Sequence, residues 1–148
     1  MHSSLEKLTL VKNKVNQIIN KKQHKIVPKI VVVTKTFSLD KISPLIDSGH
    51  IHFGENKIQE AENKWLQLKK HNKDLQLHMI GKLQTNKAKK AVQLFDYIHS
   101  LDNEKLAIKL NQYQKELNKK CKLFIQVNLA EEGQKSGIML NRLGDFYK

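Results

Sequence analysis

Lys35 is the residue best placed to do chemistry. It follows the apolar run Ile30-Val31-Val32-Val33 and Thr34, so its ammonium would be held partly out of water. Desolvation lowers a lysine's pKa and leaves more of the neutral amine, which suits it to condense with an aldehyde as a Schiff base. The same position equally allows Lys35 to extend into solvent from a strand end. His50 and His52 alternate along a short strand, but they lack a third ligand, so no metal site is expected. The single Cys121 can form neither an internal disulfide nor the paired-cysteine motif of a structural zinc site.

A regular scaffold must position these groups. Leu5, Leu8, Val11, Val15, Ile18 and Ile19 recur at helical spacing, predicting an N-terminal amphipathic helix over about 3–22. Strands follow at Ile30–Val33, His50–Phe53, Leu75–Ile80, Phe95–His99 and Lys122–Leu129. Helical patterns alternate with them, starting near Ser38, Glu55, Asn86 and Ser100–Asp102, and a last one opens at Asn141. Trp65 reads as a core or helix–sheet contact. The expectation is one domain over 1–148, of α/β class, with about five parallel strands in β/α units over about 29–148. In such folds ligands collect at the carboxyl ends of strands. Those ends carry Thr34-Lys35-Thr36, Gly54-Glu55-Asn56, Gly81-Lys82-Leu83-Gln84, Ser100-Leu101-Asp102 and Asn128-Leu129.

Composition narrows the function classes. The chain of 148 residues carries a net charge of +13, which alone would suggest phosphate-backbone binding. Yet of 27 basic residues only Arg142 is arginine, and base readout favours the arginine fork. The lysines are spread along the chain, and with abundant Asn and Ile they fit an A+T-rich coding bias, so no specific nucleic-acid partner is expected. A basic nucleic-acid-binding protein remains an alternative reading. No apolar run approaches the roughly 18 residues of a membrane span, and mean hydropathy is −0.55. Met1–Lys14 lacks the pattern of a secretory signal, so a cytoplasmic protein without a membrane partner is expected.

Several motifs occur in order: Val33-Thr34-Lys35-Thr36; Phe53-Gly54-Glu55-Asn56 with Gln59-Glu60; His78-Met79-Ile80-Gly81-Lys82-Leu83-Gln84-Thr85-Asn86-Lys87; Ser100-Leu101-Asp102; Gln126-Val127-Asn128; and Lys135-Ser136-Gly137. Together they resemble the pyridoxal phosphate homeostasis protein family, whose members resemble the barrel domain of alanine racemase. The resemblance implies a pyridoxal 5'-phosphate protein of TIM-type (β/α) barrel fold. In it Lys35 matches the lysine that holds the cofactor as an internal aldimine, Asn56 an asparagine near the cofactor ring, and His78 the histidine of the third strand end, which either contacts the cofactor or lines the barrel interior. Glu55 and Gln84 read either as partners that support the cofactor-contacting residues or as simple helix-start residues, the latter being favoured. Leu77 stands where the family usually has an aromatic residue, and Lys82 where a small residue, proline or arginine is commoner.

The resemblance further implies a regulator or carrier of the cofactor rather than an enzyme. An amino-acid racemase is the enzymatic alternative, but it needs a second acid/base residue and normally another domain. A closed eight-unit barrel takes about 250 residues, so five units imply a C-terminally truncated, partial barrel. The phosphate-binding loops would lie in the missing units. A complementary C-terminal fragment is therefore a candidate partner, and a non-functional fragment is the alternative.

Overall fold

The computed structural model describes residues 3–130 and 132–148. Helix α1 (Ser3–Lys22) precedes β1 (Val32–Val33), α2 (Leu39–Asp47), β2 (His52–Glu55), α3 (Ile58–His71) and β3 (Gln76–Met79). A 3-10 turn over Thr85–Lys87 leads into α4 (Ala88–Leu94), followed by β4 (Tyr97–Leu101), α5 (Glu104–Glu116) and β5 (Lys122–Ile125). The chain continues through β6 (Val127–Asn128), β7 (Ile138–Met139), a 3-10 turn over Leu140–Arg142 and α6 (Leu143–Tyr147).

Strands β1 to β5 form one parallel sheet in sequential order, β1-β2-β3-β4-β5. Sequential order with a helix between successive strands is the topology of a (β/α) barrel, whereas a doubly wound sheet reverses its strand order partway. β1 and β5 are the sheet's edges.

The strands alternate faces as the pleat requires. Phe53, Leu77, Met79 and Ile98 pack with Trp65, Ala61, Leu106 and Leu110 into the helix-side core, where the Phe53 and Trp65 rings lie 4.8 Å apart. The opposite face carries His52, His78, Tyr97, His99 and Phe124, whose rings contact one another. This second face is open toward β5, where Phe124 is 49% exposed.

Several expected boundaries shift. β1 is two residues long rather than four, and Val33 is 44% exposed, so the apolar run is not buried on both faces. β2 and β4 each begin two residues later than the hydrophobic runs suggested, and β5 breaks at Gln126. Asn103, not Ser100 or Asp102, caps α5, accepting the Leu106 N–H. Ile108 faces solvent although it fell on the predicted apolar stripe, as do Val11 and Ile18 of α1. β7 was not expected. It pairs in parallel with β6, and a Cβ on Gly137, whose φ is +124°, would sit 2.8 Å from the Asn128 nitrogen. Only glycine allows that approach.

Candidate functional site at the carboxyl ends of the strands

Lys35 lies in the turn that follows β1, at the carboxyl-end rim. It is exposed, and its amine makes no hydrogen bond or ion pair among the described residues. Of the two readings of Lys35, extension into solvent from the strand end is the one the structure shows, and the partial desolvation is absent. β1 ends at Val33, and Thr34 rather than Lys35 turns into the protein.

The turn around Lys35 is fixed from both sides. Thr36 has φ of 67°, a left-handed conformation that costs a β-branched residue about 1–3 kcal/mol. Its N–H donates to Glu60 Oε1 at 2.5 Å, and its hydroxyl donates to the Lys35 carbonyl at 2.6 Å. The Phe37 N–H closes the turn on the Thr34 carbonyl at 3.2 Å. Lys64 Nζ donates to the carbonyls of Thr34 at 2.8 Å and Phe37 at 3.1 Å.

Beneath the turn, Glu55 is fully buried. Its Oε1 accepts from Thr34 Oγ1 at 2.8 Å and from Trp65 Nε1 at 3.0 Å, and forms an ion pair with Lys64 at 2.9 Å. Lys64 also pairs with Glu60 at 2.8 Å. The hydrogen bond from Lys64, then that from the Thr36 amide, lowers the Glu60 carboxyl below its ordinary pKa. Glu55 is thus a strand residue at the centre of a buried ion-pair network, not the helix-start residue expected of it. Gln84 does occupy the position before a helical turn.

Asn56 follows Glu55 at the end of β2. Its Oδ1 is buried and has no hydrogen-bond partner among the described residues. Gly81, at the end of β3, packs directly against it. A Cβ there would stand 2.2 Å from the Asn56 carbonyl oxygen and 2.8 Å from its Cα, so the crossing of these two strand ends requires glycine.

His78 sits on the face opposite the helices with both ring nitrogens engaged. Nε2 meets His52 Nδ1 at 3.0 Å and Nδ1 meets His99 Nε2 at 2.9 Å. Tyr97 stacks on the ring at 4.2 Å. Burial, then the neighbouring His99 and His52, pushes the His78 pKa down to about 4. His52 and His99 are likewise lowered by burial. His50 is engaged separately, its Nε2 donating to the His52 carbonyl at 2.9 Å.

The structure thus places Lys35 and Asn56 at the same rim and puts His78 in a hydrogen-bonded row inside the sheet's open face. Sequence reasoning missed the roles of Glu60, Lys64 and His99. The i,i+4 spacing of Glu60 and Lys64 was visible, but its aim at the Lys35 turn depends on how α3 docks. A rim cavity of about 500 Å³ is lined by Lys82, Asn128, Lys135 and Ser136 among others, and Lys35 and Asn56 do not line it. Among the described residues no cluster of three or more His, Cys, Asp or Glu could hold a metal, and no helix is long and apolar enough to cross a membrane.

Comparisons with known proteins bear on the family and the fold. A family model for the alanine racemase N-terminal domain matches residues 8–148. The pyridoxal phosphate homeostasis protein of Buchnera aphidicola is 35% identical over 134 residues, covering 90% of this chain and 58% of that relative. The structure of PipY of Synechococcus elongatus without PLP superposes with a TM-score of 0.72 at 36% identity, covering 87% of this chain and 60% of PipY. Its structure with PLP bound gives a TM-score of 0.70 at 32% identity, covering 90% and 64%. The chain therefore spans roughly three-fifths of the length of these relatives, and its five β/α units form a partial barrel. The sequential parallel sheet, the strand-end motifs and the near full-length match converge: the chain belongs to the alanine racemase N-terminal domain family.

Proposed function

We propose that this protein binds pyridoxal 5'-phosphate and serves in cofactor homeostasis rather than catalysis, with Lys35 as the residue that holds the cofactor covalently. The observation that carries this reading is an unpaired, exposed lysine amine on a fixed turn at the carboxyl end of β1. Relatives named as pyridoxal phosphate homeostasis proteins, and a PLP-bound structure of PipY, support it.

When bound, the cofactor supplies an aldehyde that a neutral lysine amine attacks, forming a carbon–nitrogen double bond and releasing water. The residues present fit such a group in two respects. Lys35 offers an amine with no competing partner, and Asn56 offers a buried Oδ1 whose hydrogen-bonding capacity is unused. An orphaned buried acceptor is costly unless a donor reaches it, and a ligand donor at this rim would meet that need. His78 has no free ring nitrogen to offer, so its part is to support the open face of the sheet.

The edges of β1 and β5 present backbone groups suited to pairing with further β/α units. Such a complementary segment is the partner we assign, and it would carry the site for the cofactor's phosphate. Incubation with pyridoxal phosphate, borohydride reduction and peptide mapping test the central assignment. Label concentrated on Lys35 supports it, and label spread over the 26 lysines refutes it.

A further inference from the structure

We propose that Glu60 and Lys64 are positioning residues for Lys35: they clamp the turn that presents its amine. The inference rests on the reading of Lys35 as the cofactor lysine.

The Lys35 amine makes no hydrogen bond or ion pair among the described residues, but its neighbours on both sides are tied to α3 and β2. Lys64 holds the carbonyls of Thr34 and Phe37, one on each side of Lys35. Glu60 accepts the Thr36 N–H, and Glu55 accepts the Thr34 hydroxyl. An i,i+4 Glu–Lys pair left on a helix surface contributes little. Here the pair is turned from the helix onto the backbone of a separate loop. The loop it holds contains a threonine in a left-handed conformation, which has no reason to persist without a partner for its amide. Lys64 is also tied to the fully buried Glu55, so the clamp is anchored in the core rather than in solvent. A turn held this way presents its central side chain from one place, and fixed presentation favours reaction there over reaction at mobile surface amines.

The test uses the full chain with Glu60→Ala, Glu60→Gln and Lys64→Met. Glutamine keeps an oxygen that can accept the Thr36 N–H, and alanine does not. Two readouts are taken: hydrogen exchange of the Thr36 amide in cofactor-free protein, and the share of borohydride-trapped pyridoxyl label on Lys35 at limiting pyridoxal phosphate. Glu60→Ala is expected to speed Thr36 exchange about tenfold and to cut the Lys35 share about threefold. Glu60→Gln is expected to restore both, and Lys64→Met to behave like Glu60→Ala. Should Lys64→Met fail to fold by circular dichroism, the Glu60 pair decides. A wild-type Lys35 preference that survives in Glu60→Ala overturns the clamp while leaving the Lys35 assignment standing, even if Thr36 exchange accelerates. Scattered label in the wild type overturns the assignment and the clamp with it.

Discussion

His78 Nδ1 lies 2.9 Å from His99 Nε2, which makes His78 the middle member of a three-histidine row completed by His52. Each of these bonds needs one donor and one acceptor, so three neutral rings must share one tautomeric sense along the row. Burial favours the neutral form at every member.

The row therefore makes stability depend on acid. His78 falls from an ordinary 6.5 to about 4 on folding. Above pH 6.5 both states are neutral there and nothing is gained or lost. Between 6.5 and 4 the unfolded chain takes up a proton that the folded chain refuses, so stability falls as pH falls and then levels off. His78 alone accounts for a loss on the order of 3 kcal/mol. Urea denaturation at pH 7.5 and 4.5 measures it, and His78→Gln should flatten the profile.

Trp65→Ala removes a fully buried indole that packs on Phe53 and donates to Glu55. A loss of about 3–5 kcal/mol is expected from the cavity and the lost bond. Thermal melts of the two proteins check it.

Gly81→Ala forces a Cβ into the Asn56 backbone at 2.2 Å. Because the obstacle is main chain, the two strand ends must separate, at about 1–3 kcal/mol. The melting temperature should drop, and the Asn56 amide resonance should shift.

Asn56→Ala has the opposite signature. Its buried Oδ1 has no partner among the described residues, so removing it relieves an unmet desolvation cost and should leave the cofactor-free protein as stable or more stable, by up to about 1 kcal/mol. Retention of pyridoxal phosphate after dialysis should nonetheless fall. A large loss of stability with unchanged retention would assign Asn56 a purely structural part.

The architecture was legible from Ile30–Val33, Leu75–Ile80 and the helical spacing around Ile58, Ala61 and Trp65, because apolar periodicity records which side of each element is buried. Edges were less legible. β2 runs two residues further than its apolar run, to Glu55, because a charged residue can end a buried strand when Lys64, Trp65 and Thr34 meet it there. The rim position of Lys35 followed from local sequence, but its exposure did not, since that depends on which neighbour turns inward. His99 carried no signal of its own. Its role arises from the register of β4 against β3, which pairs His78 with Tyr97.

The most direct measurement is the distribution of borohydride-fixed label after the protein meets limiting pyridoxal phosphate, mapped peptide by peptide in the wild type and in Lys35→Ala. If Lys35 holds the cofactor, label concentrates on the peptide that contains it and a visible absorption band disappears in Lys35→Ala. Label scattered over surface lysines, or a band that survives Lys35→Ala, would contradict that role.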